Sequence, residues 1–213
     1  MKSSNEKNFF IFGDSITQGF WDSKGGWPTR LKQYFDDMMA KAPGFPDHGF
    51  YYMVFPLGIT DDTTQNILER FEFETEKRIV WPTTEEIFIF SIGSNDSATI
   101  SKEEFERNLR EIIKRARRFS DKISFLELQP VNEDLTQPVA WDEKHFLTNE
   151  KTLEFNKILL KVMGEEKVSV IKYFDEWMTM DYKKFLADGV HPNDAGHEDL
   201  FRRVRDFIKE NYL

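Results

Sequence analysis

The chain has 213 residues, of which 39% are hydrophobic and 15% aromatic, enough to build the core of one domain spanning residues 1–213. It contains no cysteine, which excludes disulfides and thiolate metal sites. The net charge of −9 disfavours nucleic acid as a partner, because an acidic surface repels phosphate backbones.

The apolar segment nearest the N-terminus is only Phe9–Phe12, too short for a signal peptide. No apolar run approaches the roughly 18 residues that are needed to span a bilayer. We therefore expect a cytoplasmic protein without a membrane span.

Strand-like and helix-like segments alternate along the chain. The predicted strands are Asn8–Phe12, Tyr51–Phe55, Ile87–Ile92, Ile123–Leu128 and Val168–Ile171. The predicted helices are one with Pro28 in its first turn, one starting near Asp61 or Asp62, one capped by Ser101 in a box with Glu104, one over Asn149–Met163 that stops at Gly164, and one after Asn193. Residues 129–148 form a long irregular loop, the best candidate for a lid.

This alternation predicts a three-layer α/β/α, flavodoxin-like fold with a parallel five-stranded sheet of order 2-1-3-4-5. In that topology a ligand crevice lies at the carboxyl ends of strands 1 and 3.

Polar residues cluster where predicted strands end. Ser15 follows strand 1, Asp61 follows strand 2 and Asn95 follows strand 3. A serine, backbone amides and an Asn side chain are what acyl transfer requires, namely a nucleophile and donors for an oxyanion. His191 is the candidate base, with Asp188 placed to orient its ring, since Pro192 disfavours a helix there.

Common nucleotide and metal motifs are missing. The chain has no G-x-S-x-G elbow, no phosphate-binding glycine loop, and Phe201 where H-E-x-x-H would need its second His. With four His and no Cys, we expect no metal and no cofactor.

Three segments resemble the blocks of SGNH (GDSL-type) hydrolases. Gly13-Asp14-Ser15-Ile16-Thr17-x-Gly19 resembles the first block, Gly93-x-Asn95-Asp96 the third, and Asp188-x-x-His191-Pro192 the fifth. The order and spacing agree, and the similarity extends from residue 9 to the C-terminus. Asp22-x-x-Gly25-Gly26-Trp27, and Arg70 eight residues after Asp62, resemble a bacterial branch of that family.

The resemblance implies hydrolysis of esters or thioesters. It implies Ser15 as nucleophile, Asp188 and His191 as its triad partners, and Asn95 and the Ser15 N–H as oxyanion donors. The second block departs from the family pattern, with Pro56 in place of Asn and Asp61 in place of Gly. The Asp61 N–H can still be the third donor if the carboxylate points to solvent, and Asp tolerates a positive φ better than most residues.

Several residues receive supporting or alternative roles. We expect Asp14 to hold the first loop and Asp96 to close the turn after strand 3, both beside the site rather than reacting. The aromatic residues Phe20, Trp21, Trp141 and Phe146 either line an acyl pocket or simply pack. The three histidines without motif partners, His48, His145 and His197, are interpreted as residues of the surface or of a helix face.

The leading hypothesis is a serine esterase acting on small-molecule carboxylic esters, such as short-chain acyl or acetyl esters, through an acyl-enzyme. One alternative is a non-catalytic flavodoxin-like binding module, which would hold a phosphate or flavin at the same strand ends. Another is an SGNH pseudo-enzyme disabled by Asp61. Substrate identity, thioesterase activity and oligomeric state stay open at the level of sequence.

Overall fold

The computed structural model describes residues 5–47, 49–79 and 81–213. Its centre is a five-stranded parallel sheet of order β2-β1-β3-β4-β5, as predicted. The strands are β1 (Glu6–Gly13), β2 (Tyr51–Gly58), β3 (Glu85–Ser91), β4 (Ile123–Leu126) and β5 (Ser169–Ile171).

Helices cover both faces of the sheet. They are α1 (Ser15–Gln18), α2 (Gly26–Ala40), α3 (Thr64–Glu76), α4 (Asp96–Thr99), α5 (Lys102–Ala116), α6 (Asn149–Glu166), α7 (Phe174–Thr179) and α8 (Asp194–Asn211), with a 3-10 turn at Tyr182–Phe185. None of the helices in the described ranges is long and apolar enough to cross a bilayer.

The strands supply one core on each face because successive side chains point to opposite sides. Phe10 and Phe12 pack with α3, α5 and α6, whereas Phe9 and Ile11 pack with α2 and α8. The result is the predicted α/β/α arrangement, built on nearly continuous apolar strands, as expected when both faces of a parallel sheet are covered.

Strand β2 runs past the predicted end at Phe55 and includes Pro56, which lies opposite Ile11. Proline is tolerated there because β2 is an edge strand, so one side of its backbone needs no partner.

Two predicted helix boundaries are wrong. Helix α3 begins at Thr64 rather than near Asp61 or Asp62, because Asp61 has a left-handed backbone (φ +64°) and Thr63 caps the helix in a box with Asn66. Helix α6 does not stop at Gly164.

Helix α6 continues to Glu166 and ends at Lys167, which takes the left-handed capping conformation (φ +55°). The last turn is held to neighbouring α5, since the Glu166 carboxylate accepts from Arg117 at 2.6 Å. Ser101 caps α5 as predicted, accepting from the Glu104 N–H at 3.1 Å.

Candidate active site

Three polar side chains line up in one hydrogen-bonded chain at the carboxyl edge of the sheet. Ser15 is separated from the end of β1 by Asp14 alone and is the first residue of α1. Its Oγ lies 2.9 Å from Nε2 of His191, and the other ring nitrogen, Nδ1, lies 2.7 Å from Oδ2 of Asp188. Ser15 and His191 are both buried, so their contact is largely shielded from water.

Asp188 is an acceptor with several donors. Its Oδ1 accepts from the backbone N–H groups of Val190 at 2.9 Å and His191 at 2.8 Å. Burial opposes ionisation, but the bonds from the His191 ring and from these backbone groups outweigh it and hold the pKa of Asp188 well below its usual range. An ionised carboxylate can only accept, so Nδ1 of His191 carries the proton and Nε2 is the acceptor facing Ser15.

The loop that carries Asp188 and His191 is fixed from both sides. The Ala187 N–H donates to the His191 carbonyl at 2.8 Å, and Leu186 bridges to Pro192, so the segment is a closed loop and no helix, as its proline predicts. Asn193 then caps α8 through its side chain. Val190 packs in a small apolar cluster with the 129–148 loop, which presses the His191 segment against the site.

The opposite flank of Ser15 presents N–H donors. The Ser15 N–H belongs to the first turn of α1, where backbone donors lack partners within the helix. Nδ2 of Asn95 donates to the Asp62 carbonyl at 2.9 Å, which leaves its second N–H free to point elsewhere. Asp61 has an exposed side chain and a positive φ, the conformation its position requires.

Two acidic residues next to the site have structural partners. Oδ1 of Asp14 accepts from the Ile16 N–H at 3.0 Å and caps α1, and burial raises the pKa of Asp14 to about 7. The sequence suggested that Asp96 closes the turn after strand 3, but the strongest bonds of its side chain lie outside that turn. Its carboxylate crosses to α3 and accepts from the Thr64 N–H at 3.0 Å, because that helix start is buried and needs an acceptor. Burial raises the pKa of Asp96 to about 6.

Two Asp–Arg pairs, each eight residues apart, hold the loops on either side of Ser15. Arg70 donates from Nε to Asp62 at 2.8 Å and from Nη2 to the Leu57 carbonyl at 2.6 Å. Arg30 grips both carboxylate oxygens of Asp22 at 2.9 and 2.5 Å. The sequence singled out the first spacing, but the second pair needed the structure, since nothing marks Arg30 apart from other helix cations.

A cavity of about 520 Å³ opens over Ser15 and His191. Its walls include Asn95, Asp61, Thr63 and Thr99 and three of the aromatic residues singled out above, namely Phe20, Trp21 and Trp141. The 129–148 loop contributes Trp141, Asp142, His145 and Leu147, so this loop covers part of the site. Phe146 is exposed and is not among the described lining residues.

His197 lies on a face of α8, one of the two places expected for it, but this face is buried and the surface alternative is wrong. Its ring is fully buried, Nδ1 accepts from the Trp27 N–H at 3.3 Å, and Nε2 donates to the Phe20 carbonyl at 3.0 Å. A pairing to two backbone groups far away in the chain leaves no sequence signal. His145 lines the cavity, and His48 lies outside the described residues.

Sequence reasoning also missed a contact of Trp21. The indole Nε1 donates to Oδ2 of Asp188 at 2.7 Å, on the same oxygen that faces His191. The two residues are 167 positions apart, and no motif links them.

Comparisons with solved structures show the same fold. A lipase/acylhydrolase from Enterococcus faecalis is 20% identical, with a TM-score of 0.71 over 96% of this chain and 96% of that one. A G-D-S-L family lipolytic protein from Veillonella parvula is 17% identical, with a TM-score of 0.70 over 95% of this chain and 98% of the other. An acetylxylan esterase from Geobacillus stearothermophilus is 18% identical, with a TM-score of 0.68 over 99% and 96%.

A comparison of the sequence with curated proteins found no match. A family model does match, and it covers residues 11–198, which include all three blocks noted in the sequence. On that match, the chain belongs to the GDSL-like lipase/acylhydrolase family.

Proposed function

We propose that this protein is a serine esterase that cleaves carboxylic esters through an acyl-enzyme, with Ser15 as nucleophile. The observation that carries the proposal is the unbroken chain from Ser15 through His191 to Asp188, with links of 2.9 and 2.7 Å. A hydroxyl next to a neutral imidazole whose far nitrogen is held by a carboxylate is an activated nucleophile.

In the first half-reaction Nε2 of His191 takes the Ser15 proton while Oγ attacks the ester carbonyl. The ring becomes a cation, which the ionised Asp188 stabilises. The tetrahedral oxyanion accepts from the Ser15 N–H, the Asp61 N–H and the second N–H of Asn95. His191 then gives its proton to the leaving alcohol, which departs and leaves an acyl group on Ser15.

In the second half-reaction water replaces the alcohol. His191 takes a proton from this water as the water attacks the acyl carbonyl, and the same donors hold the second oxyanion. Collapse of that intermediate breaks the Ser15 ester bond, returns the proton to Oγ and releases the carboxylic acid. The proposed steps use only side chains and backbone groups of this chain.

We favour short-chain acyl or acetyl esters as substrates. The cavity of about 520 Å³ is of a size that suits a small organic molecule. One structural neighbour is an acetylxylan esterase, which is in keeping with an acetyl group, although the likeness at 18% identity extends to the fold alone.

The test is Ser15→Ala assayed with p-nitrophenyl acetate and with a fluorophosphonate label. We expect loss of hydrolysis and of labelling with an unchanged melting temperature, because only one oxygen is removed. Ser120→Ala is the matched control, since Ser120 lies before β4 at the opposite end of the sheet and should keep both properties. Full activity in Ser15→Ala would overturn the assignment of Ser15 as nucleophile, whereas a wild type that neither hydrolyses the ester nor takes up the label would favour a binding module.

A further inference from the structure

Trp21 combines exposure with a fixed position. Its side chain is 62% exposed, yet its indole N–H donates at 2.7 Å to Oδ2 of Asp188. That oxygen also accepts from Nδ1 of His191 at 2.7 Å. A large aromatic ring at the mouth of the cavity therefore shares one carboxylate oxygen with the proposed base.

The backbone around Trp21 is held on both sides. A Cβ added at Gly19 would lie 2.4 Å from the Gly25 carbonyl, and one added at Gly26 would lie 2.4 Å from the Gly19 Cα. This close approach of the two backbone segments closes residues 20–25 into a loop. Within this loop the Phe20 carbonyl accepts from His197, and the Asp22 carboxylate is gripped by Arg30.

Trp21 itself has φ +63°, a conformation that costs free energy for a bulky residue and is kept when the surroundings impose it. The bonds of Phe20 to His197 and of Asp22 to Arg30 hold the backbone on both sides of Trp21. This backbone directs the indole toward Asp188.

We infer that Trp21 is a positioning residue for the Asp188–His191 pair, an inference that rests on the proposed function. The indole N–H takes part of the negative charge of Oδ2 and so moderates how strongly Asp188 stabilises the protonated ring. It also fixes the plane of the carboxylate. The other groups that act on His191 are the Phe20 and Trp141 rings, at centroid distances of 5.4 and 5.5 Å, and the ionisable Asp14 and His197.

Trp21→Phe tests the inference, since it keeps a smaller aromatic ring and removes the N–H donor, while the matched control loses the same part of the ring. Without that donor Asp188 is more basic and favours the protonated ring, so the acidic limb of the kcat/KM profile should move up by roughly half a pH unit. The plateau of kcat should fall about threefold to tenfold, because the carboxylate is less well oriented. The low-field proton resonance of the His191 Nδ1–H should shift as well.

Trp141→Phe is the matched control, because Trp141 also packs on His191 but makes no bond to Asp188 among the described contacts. It should change KM and leave the acidic limb in place. An unaltered limb and resonance in Trp21→Phe would overturn the inference. Failure of the proposed function would look different, since wild type would then hydrolyse no ester at all.

A separate observation concerns charge. Asp61 and Asp142, two exposed acidic residues, are among those that line the cavity, and no lysine or arginine lines it within the part of the chain that the structure describes. The exposed rings of Trp21 and Trp141 stand at the same mouth. Carboxylates and aromatic faces both attract cations and repel anions.

We propose that the site selects esters with a cationic or neutral leaving alcohol. It disfavours anionic leaving groups, such as alcohols or thiols that carry phosphate groups. This also rests on the proposed function. Because the His191 ring protonates the leaving oxygen, the aromatic rings packed on His191 lie on the leaving-group side.

Three acetates with similar shapes provide the test: 3-(trimethylammonio)phenyl acetate, its neutral isostere 3-tert-butylphenyl acetate, and anionic 3-acetoxybenzenesulfonate. After correction for their hydroxide-catalysed rates, kcat/KM should be about tenfold higher for the cation than for its isostere, and lowest for the anion. The differences in kcat/KM among the three acetates should become smaller in 0.5 M salt, where charges are screened over roughly 4 Å.

Asp142→Asn should reduce the preference about threefold. It preserves local structure, because the new amide oxygen can still accept from the Lys144 N–H as Oδ1 of Asp142 does. Glu143→Gln removes the same charge from the neighbouring exposed residue, which does not line the cavity, and should change little. Equal rates for all three acetates, or a preference for the anion, would overturn the proposal while leaving the esterase assignment intact.

Discussion

His191 and His197 stand at the same end of α8 but differ in their partners. His191 bonds to two side chains, the Ser15 hydroxyl at 2.9 Å and the Asp188 carboxylate at 2.7 Å. His197 bonds to two backbone groups, the Trp27 N–H at 3.3 Å and the Phe20 carbonyl at 3.0 Å. The first ring has one nitrogen aimed at a group that can react, and the second has both nitrogens occupied by groups that cannot.

The difference shows how one residue type serves chemistry or architecture according to its partners. Burial lowers the pKa of His197 and keeps the ring neutral, so that it can accept and donate at the same time. In this role it fixes the segment 20–27 that holds Trp21. Asp188, by contrast, gives the His191 ring a partner for positive charge.

The largest effect is expected for His191→Ala. Loss of the proposed base should lower kcat by on the order of 10⁴- to 10⁶-fold with little change in melting temperature. His197→Ala should instead destabilise the fold by about 2 kcal/mol, because it leaves a buried N–H and carbonyl unpaired, and should change kcat by less than roughly tenfold. Steady-state kinetics and urea unfolding of both variants test this expectation. A large loss of kcat in His197→Ala with little loss in His191→Ala would contradict it.

Asparagine offers a second pair. Asn95 keeps one N–H for the proposed oxyanion. Asn156, by contrast, accepts from the Leu128 N–H at 2.8 Å and donates to the Leu128 carbonyl at 3.0 Å. Asn95→Ala should lower kcat about 100- to 1,000-fold at nearly constant stability. Asn156→Ala should cost about 2 kcal/mol of unfolding free energy. Similar losses of kcat in both would remove the distinction.

Asp14 contrasts with Asp188. Burial raises the pKa of Asp14 to about 7, whereas at Asp188 the hydrogen bonds from His191 and Val190 outweigh burial and lower the pKa. Between pH 3.8 and about 7 the folded state keeps a proton on Asp14 that the unfolded chain has released. The free energy of unfolding therefore falls as the pH rises through this range. Asp14→Asn removes the ionisation and can still cap α1. Urea unfolding should show it more stable than wild type by about 2 to 4 kcal/mol at pH 8, with the gain vanishing near pH 4.

The smallest effect concerns the pH dependence of His197. Its folded pKa is lowered, so the unfolded chain binds a proton first as pH falls below the ordinary value of 6.5, and the folded state loses stability in that range. In His197→Gln this contribution is absent. The stability gap between wild type and His197→Gln should therefore narrow by about 1 kcal/mol between pH 7.5 and 5.5. A constant gap would show that His197 titrates alike in both states.

Local patterns in the sequence predicted most of the fold. The apolar patterns located all five strands, because burial on one side or both leaves a repeat in the chain. The order of the strands followed from the alternation of strands and helices, which favours a doubly wound sheet. These patterns failed where a local signal is ambiguous. Glycine often ends a helix, but α6 passes through Gly164 and continues to Glu166, whose carboxylate and carbonyl both accept from Arg117 at the end of α5.

The sequence by itself therefore determined which strand ends carry polar groups, and the family blocks that mark Ser15, Asn95, Asp188 and His191. Only the tertiary structure decided how those groups are supported. The bonds of Trp21 to Asp188 and of His197 to Phe20 join residues 167 and 177 positions apart. Such pairs form because packing brings two distant loops together, and a contact made by packing leaves no periodicity that a single sequence can reveal.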